Sequence, residues 1–198
     1  MRCGFVLPFG DARTAADFAH EAEQAGWDGF FVWEPVWGID AWVALTAAAM
    51  RTERIRLGTL LTPLSRMRPW KLASETVTLD HLSGGRVILS VGLGAIDTGF
   101  EAFGEVTDRK TRAELLDEGL DILTGLWRRQ PFTLHRQALH GEGNDLPPAT
   151  AACPAAAHPD LGCRRMAAHE IDAAGLALRW LVAGCPGRRR QGTGANTR

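Results

Sequence analysis

Short apolar runs alternate with longer amphipathic stretches from residue 3 to residue 127 of the chain. This alternation is typical of βα units built around a parallel sheet. The run RVILSVGLG at residues 86–94 lacks the polar alternation of a half-exposed strand, so we expect burial on both faces. The pattern excludes an all-β sandwich and predicts four βα units. The predicted strands span residues 3–8, 28–34, 55–61 and 84–95, and the predicted helices span residues 14–26, 41–50, 69–82 and 111–127.

Capping residues predict where the helices begin and end. Gly26 ends the first helix, Asp40 precedes the second, and Pro69 lies in the first turn of the third. The fourth helix is predicted to begin with a capping box of Thr111 and Glu114. The positions at helical spacing that we expect to face the core are Ala15, Phe18, Ala19, Ala22, Ala25, Leu72, Thr76, Leu79, Leu82, Leu115, Ile122, Leu126 and Trp127.

The tripeptide Gly92-Leu93-Gly94 ends the fourth predicted strand and has three interpretations. A dinucleotide-binding fingerprint of an NAD protein would need a third glycine sooner than Gly99 and a helix that begins at once. The glycines could simply end the strand, or they could let a planar ligand lie against the bare backbone. The long connection that follows, residues 95–108, is of the kind that carries function at the carboxyl ends of parallel strands.

Composition restricts the class of protein. The chain has 198 residues, of which 45% are hydrophobic and 23% charged, and this is the range of soluble globular proteins. A net charge of −1 gives no reason to expect a nucleic-acid partner. No apolar run is long enough to span a membrane or to act as a signal peptide, so we predict no membrane partner and a cytoplasmic location.

No metal site is predicted. The four cysteines form no CxxC pair, and the spacing of His158, Cys163 and His169 fits no common zinc pattern. The chain therefore encodes neither an obvious disulfide framework nor an obvious zinc site.

Three long phrases in the chain occur in an order and spacing that resemble a known family. They are LGTLLTP at residues 57–63, TLDHLSGGR at residues 78–86, and the strand that ends in Gly-x-Gly, preceded by GFVLPFGD and AGWDGFFVWE. Over residues 2 to about 134 the chain closely resembles the bacterial luciferase-like flavin monooxygenases. The resemblance implies an α/β fold, a partial (β/α)8 TIM barrel of about four βα units. It also implies an oxidoreductase that holds FMN or, in a sister branch, the deazaflavin coenzyme F420, and that acts on a small-molecule substrate with O2 or by hydride transfer.

The resemblance also implies cofactor-binding residues at two strand ends. Gly58, Thr59 and Leu60 match the third strand end, where the family often places a bulge, sometimes with a non-prolyl cis bond, behind the flavin ring. Thr62 matches a threonine whose hydroxyl lies near the ring, although it could equally cap the strand before Pro63. At the fourth strand end, the positions that match the backbone beneath the flavin are Gly92 and Gly94.

Glu34 is the candidate catalytic residue. It matches an acidic or polar pocket position after the second strand, where relatives often carry a histidine next. This chain has Pro35 there, so an acid–base role falls to Glu34 or to groups of the substrate and flavin. The alternative is a carboxylate that simply lies at the surface of a strand end.

Other aromatic and polar residues lie near the two ends of the predicted sheet. Trp33, Trp37 and Trp42 could stack on an aromatic substrate or belong to the core. Asp80 and His81 lie near the end of a helix, opposite the mouth of the barrel that the carboxyl ends of the strands form. They are interpreted as capping and packing groups.

Four βα units are half of an eight-stranded barrel, so we expect strands one and four to remain unpaired and a homodimer to form through the open sheet edges. The predicted domains are a luciferase-like half-barrel at residues 1–134 and an irregular or disordered Ala/Pro/Arg-rich tail at residues 135–198, with one weak helix near residues 173–184. Read one base out of frame with GC-rich codons, residues 156–167 permit text that resembles the family's fifth strand. We therefore hypothesise a frameshift near residues 140–155 and a truncated enzyme, with an inactive fragment or a non-catalytic half-barrel interaction protein as the alternative.

Overall fold

A computed structural model describes residues 2–128 of the chain and the backbone of residues 166–173 and 176–183. The strands are β1 Gly4–Leu7, β2 Gly29–Val32, β3 Arg56–Thr59, β4 Thr62–Pro63, β5 Val87–Gly92, β6 Met166–Ala173 and β7 Leu176–Ala183. The helices are α1 Ala12–Gln24, α2 Ala41–Arg51, α3 Pro69–Ser83 and α4 Arg109–Trp127. Short 3-10 turns cover Leu64–Arg66, Ile96–Thr98 and Glu101–Phe103.

The four strands predicted from the apolar runs form one parallel sheet. β1 pairs with β2, β2 with β3, and β3 with β5, all in parallel. The short strand β4 continues from β3 and pairs with the end of β5. Since parallel strands point the same way, their carboxyl ends meet at one edge of the sheet. This confirms the predicted α/β class and brings together the loops that carry the candidate residues.

The two faces of the sheet differ in what covers them. Phe30 and Val32 of β2 belong to the hydrophobic core that the helices cover. The intervening Phe31 points to the other face, where its ring approaches Gly4, Gly29 and Gly58. A Cβ at Gly4 or Gly29 would lie 2.7 Å from that ring, so these two glycines leave room for the Phe31 side chain.

The phrase SGGR joins α3 to β5 at the amino end of the sheet. Gly84 and Gly85 adopt φ of 69° and 88°, conformations that favour glycine. Arg86 then donates hydrogen bonds to backbone carbonyls of three segments. Its acceptors are Ser83 O at 2.7 Å, Thr52 O at 2.9 Å, Ile55 O at 3.0 Å, Ala49 O at 3.1 Å and the hydroxyl of Thr52 at 2.8 Å. These bonds tie the end of α2 to β3 and to the α3–β5 turn. The phrase SGGR therefore stabilises the amino end of the sheet and does not belong to the candidate site at the carboxyl ends of the strands.

Two predicted caps are confirmed, and the one at α4 is wrong. At the end of α1 the cap is Ala25, and the predicted Gly26 follows it with a φ of 83°. Asp40 accepts the N–H of Val43 at 2.8 Å, and Pro69 is the first residue of α3. α4, however, begins at Arg109 and is capped by Asp108, which accepts the N–H and the hydroxyl of Thr111 at 2.7 Å each. Thr111 therefore lies inside the first turn, and the predicted capping box does not form.

Several predicted core positions also differ from the structure. Leu82 is 48% exposed on α3, and Phe18 of α1 is 42% exposed although its ring stacks on that of Phe5. Leu126 is only partly buried against the core. Each of these three residues lies at the margin of its helix's apolar face, where spacing alone does not decide burial.

The carboxyl-terminal part corrects two further expectations. The predicted weak helix near residues 173–184 is wrong, since Leu176–Ala183 forms the strand β7. β7 pairs antiparallel with β5 and with β6, so the fourth predicted strand is covered and does not remain unpaired. β1 stays at the end of the sheet formed by the described strands. The predicted frameshift region, together with His158 and Cys163, lies outside the described residues.

Candidate functional site

A chain of hydrogen bonds joins three sequence-predicted residues at the carboxyl ends of the strands. Thr62 Oγ1 lies 2.5 Å from Glu34 Oε2 and donates to it. The same Thr62 oxygen lies 2.9 Å from Thr59 Oγ1, and Thr59 Oγ1 lies 3.4 Å from the carbonyl of Ser90. Both threonines are fully buried, whereas Glu34 is partly buried. Glu34, Thr59 and Thr62 therefore form one cluster, although they come from two different βα units.

The connection between β3 and β4 places this cluster. Leu60 N donates to Val32 O at 2.8 Å, so the backbone beyond β3 still follows β2. The peptide bond between Leu60 and Leu61 is cis, as in the family feature that the resemblance implied. Thr62 then pairs with Val91 and Pro63 with Gly92, and this brings the cluster beside the end of β5.

The carboxyl group of Glu34 is in an environment that favours its neutral form. Burial raises the pKa of Glu34 to about 7 from its ordinary value of 4.5, against the hydrogen bond from Thr62 and the charge of Arg66, which both lower it. The carboxylates of Asp40 and Glu75 raise the pKa further. A carboxyl with this pKa changes protonation state near neutral pH, which is what proton exchange in catalysis requires.

A pocket of about 310 Å³ lies between the β2–α2 connection and the start of α3, with Glu34 in its lining. Trp37, 81% exposed, and Trp42, which is buried, both line it. Arg66 lines it too and donates to the carbonyls of Glu34 at 3.2 Å and Pro35 at 2.7 Å, which holds the segment after β2 in place. The pocket thus brings a titratable carboxyl and indole surface to the same opening.

Trp33 lies apart from this pocket. Its ring makes an edge-to-face contact with that of Phe9, with the centroids 6.3 Å apart, and the two side chains are 52% and 82% exposed. The three predicted tryptophans therefore divide into one buried residue, Trp42, and two exposed ones at the carboxyl ends of the strands.

Asp80, at the opposite end of the sheet, was predicted to be a capping and packing group. This is met in part, because its carboxylate accepts the N–H of Val87 at 3.4 Å.

The three candidate glycines have neighbours within the protein itself. A Cβ at Gly58 would lie 2.2 Å from the carbonyl oxygen of Ile88, so glycine is required there by the approach of β3 to β5. A Cβ at Gly92 would meet the side chain of Leu61 at 3.0 Å.

At the third glycine, Gly94, a Cβ would meet Pro63 at 2.9 Å, and its φ of 73° itself favours glycine. Packing within the protein thus gives each of these glycines a structural reason, which was one of the interpretations left open by the sequence. Contact of Gly58, Gly92 and Gly94 with a coenzyme stays a prediction.

Two residues of the site were missed by sequence reasoning. Arg112 is 3% exposed and donates through Nη2 to the carbonyls of Leu93 and of Gly94, the latter at 2.8 Å. The sequence carries no signal that distinguishes Arg112, because Arg109 and Lys110 lie in the same first turn of α4. The second is Ser90, whose fully buried hydroxyl has no hydrogen-bond partner among the described residues.

Within residues 2–128 no group of three or more His, Cys, Asp or Glu side chains is arranged to hold a metal ion. None of the helices in that part of the chain combines the length and the hydropathy that a bilayer crossing requires.

Comparison with known proteins assigns the family. The model of the luciferase-like monooxygenases matches residues 1–188, and the chain belongs to this family. A putative coenzyme F420-dependent oxidoreductase of Mycobacterium tuberculosis is 35% identical over 154 residues, which are 72% of this chain and 43% of that protein. A 4-hydroxyprotoasukamycin monooxygenase of Streptomyces nodosus subsp. asukaensis is 45% identical over 83 residues, 41% of this chain and 22% of that protein.

Solved structures support the fold. The oxygenating constituent of 3,6-diketocamphane monooxygenase from Pseudomonas putida, in complex with FMN, superposes with a TM-score of 0.61 at 24% identity, over 70% of this chain and 42% of that one. An F420-dependent secondary alcohol dehydrogenase gives a TM-score of 0.61 at 24% identity, over 76% of this chain and 48% of that one. The chain therefore has the luciferase-like barrel architecture and spans less than half the length of these relatives.

Proposed function

We propose that this chain carries the coenzyme-binding strand ends of a flavin-dependent oxidoreductase and that Glu34 is the group that exchanges a proton there. The observation that carries the proposal is the partly buried carboxyl of Glu34, hydrogen-bonded to Thr62 at 2.5 Å and held at a pKa of about 7 by burial. Such a group is costly to keep in a folded protein, and perturbed carboxyls of this kind are concentrated at functional sites. The substrate is proposed to be a small molecule.

The described residues provide groups that fit a flavin-type ring. Ser90 and Gly92 lie two residues apart on β5 and so share the face of the sheet opposite the helices. The buried hydroxyl of Ser90 lacks a partner, and a polar edge of a bound ring would satisfy it. Leu60, Thr62, Gly92 and Gly94 are proposed to line the ring, with Thr59 as the support of Thr62.

Two coenzymes are consistent with this site. FMN, working with O2, is the first candidate and follows from the resemblance to monooxygenases. The deazaflavin F420 is the second candidate. It is favoured by the similarity to the putative F420-dependent oxidoreductase, which is 35% identical and matches 72% of this chain. When bound, either coenzyme would supply hydride transfer, and FMN could also supply chemistry with O2. Glu34 would hold or accept the proton at its carboxyl in both cases.

Equilibrium titration of the purified full chain with FMN and with F420 tests the proposal. We expect one of the two to bind with a Kd below about 1 μM, followed through coenzyme fluorescence. If both bind more weakly than about 100 μM, the chain is not a coenzyme-binding oxidoreductase, and the alternative of a non-catalytic half-barrel is supported. Binding of NADH without flavin would instead support a dinucleotide-binding protein.

A pair of glycine variants separates coenzyme contact from packing. In Gly92→Ala the new Cβ would meet the Leu61 side chain at 3.0 Å, and in Gly119→Ala of α4 it would meet the Leu64 side chain at 2.9 Å. The two changes therefore create similar crowding, but only the first lies at the strand ends. We expect Gly92→Ala to weaken coenzyme binding about tenfold, or ~1.4 kcal/mol, and Gly119→Ala to leave it unchanged. Equal effects would count against coenzyme contact at Gly92.

The predicted cytoplasmic location and the homodimer through a sheet edge are retained as proposals. Among the described strands β1 lies at the end of the sheet, which supports the homodimer because such an edge can add a further strand. Sedimentation at several protein concentrations would test it, and a monomer at all concentrations would reject it.

A further inference from the structure

The side chain of Arg112 joins α4 to the Gly92–Gly94 segment by hydrogen bonds. Its Nη2 donates to two successive carbonyls, those of Leu93 and Gly94. Its guanidinium also lies over the ring of Phe100, with Cζ 4.6 Å from the ring centroid. Phe100 is 1% exposed and belongs to the connection between β5 and α4. The guanidinium therefore contacts the strand end and the following loop at the same time.

The position of Arg112 is energetically unfavourable unless these contacts are needed. The residue is the fourth of α4, where the positive end of the helix dipole repels a cation. Burial lowers the pKa of the guanidinium, and no carboxylate of the described residues forms an ion pair with it. A buried charge of this kind is retained where its hydrogen bonds determine a conformation.

The segment that Arg112 contacts pairs with β4 at Gly92 and packs against the core at Leu93, but it continues into a loop that contains glycines with positive φ. Gly94 has a φ of 73°, and Gly99 and Gly104 in the following loop have φ of 103° and 70°. Glycine imposes the weakest conformational restriction of any residue, so contacts from outside the segment must fix its shape. The charged hydrogen bonds to two carbonyls are stronger than neutral ones and point the Leu93 and Gly94 peptide groups one way.

We propose that Arg112 is a positioning residue that fixes the Gly92–Gly94 strand end and the loop behind it in the conformation that receives the coenzyme. The coenzyme part of this inference rests on the proposed function, whereas the fixing of the strand end does not. Arg112 acts through the backbone carbonyls that it holds, and it is not itself proposed to contact the reacting atoms.

Hydrogen–deuterium exchange measured by mass spectrometry on the ligand-free full chain tests the fixing of the strand end. We expect amides of residues 92–104 to exchange about tenfold faster in Arg112→Met, and Arg112→Lys to restore part of the protection. Arg109→Met is the matched control, because Arg109 is an exposed arginine of the same helical turn whose side chain forms no hydrogen bond or ion pair with the described residues. If exchange in residues 92–104 is the same in Arg112→Met and Arg109→Met, the proposal is overturned.

Coenzyme titration of the same variants tests whether the conformation that Arg112 fixes is needed for coenzyme binding. We expect Arg112→Met to bind FMN or F420 about tenfold more weakly than Arg109→Met. Faster exchange without weaker binding would overturn the link to the coenzyme. If Arg112→Met does not fold, as judged by its circular dichroism, the comparison of Arg112→Lys with Arg109→Met decides in the same way. Absence of coenzyme binding in the wild-type protein would reject the proposed function, and the exchange comparison would still decide the role of Arg112.

Discussion

Replacing Glu34 by glutamine should stabilise the protein at alkaline pH and leave it unchanged at acidic pH. Burial raises the pKa of Glu34 to about 7, whereas the ordinary value of 4.5 applies to the unfolded chain. Between these values the folded state holds a proton that the unfolded state has lost, so stability decreases as pH rises from 4.5 to 7. At about 1.4 kcal/mol for each tenfold change, the cost above pH 7 is about 3 kcal/mol. Glutamine avoids this cost and keeps an oxygen that can accept from Thr62.

Urea unfolding followed by circular dichroism at pH 5 and pH 8 measures the difference between Glu34→Gln and wild type. We expect the variant to gain up to about 3 kcal/mol on going from pH 5 to pH 8. Glu114→Gln is the control, since Glu114 is an exposed carboxylate 3.9 Å from Lys110, and its effect should stay within about 0.5 kcal/mol at both pH values. An equal difference between Glu34→Gln and wild type at the two pH values would refute the interpretation of Glu34 as a carboxyl held neutral by burial.

Two further predictions concern the sheet and its amino-end turn. Gly58→Ala should destabilise the protein by about 3 kcal/mol or more, because its Cβ would lie 2.2 Å from the Ile88 carbonyl oxygen. Thermal unfolding of Gly58→Ala and Gly92→Ala measures the difference, and a similar loss of stability in both variants would contradict the prediction. Although burial opposes ionisation of Glu23, hydrogen bonds from the N–H groups of residues 53–55 outweigh it and lower its pKa. Glu23→Gln should therefore lower the free energy of unfolding by about 2 kcal/mol at pH 7 and by less as the pH falls below 4.5. Urea unfolding at pH 7 and pH 3 tests this, and an equal loss of stability at both pH values would reject it.

The parallel sheet could be predicted because its signals are local. Each of the first four predicted strands is a short apolar run, and helix ends carry residues such as Asp40 whose caps need only neighbouring amides. Where two good caps compete, as Asp108 and Thr111 do, local sequence does not decide, and the helix begins at Arg109, two residues earlier than predicted. The apolar run that forms β7 fits a helix or a strand equally, and its pairing with β5 decides between them.

The site was predicted less completely because its contacts are distant along the chain. Glu34 and Thr62 are separated by 28 residues, and only the register of β2, β3 and β4 brings them to hydrogen-bonding distance. For the glycines, the positions could be predicted but the physical reason for them could not. The sequence identified Gly58 and Gly92 as special, but the neighbours that demand glycine, Ile88 O and the Leu61 side chain, depend on the packing of strands and connections.

The ionisation of Glu34 in the presence and absence of coenzyme is the sharpest test of its role in proton exchange at the coenzyme site. Carbon-13 NMR of glutamate-labelled protein, with Glu34→Gln to assign the signal, can follow the carboxyl carbon of Glu34 through a pH titration. We expect a midpoint near 7 in the free protein, because this carboxyl is buried, and a shift of that midpoint when FMN or F420 is added. A midpoint near 4.5 that neither coenzyme moves would show that Glu34 is an ordinary carboxylate without a role at the coenzyme site.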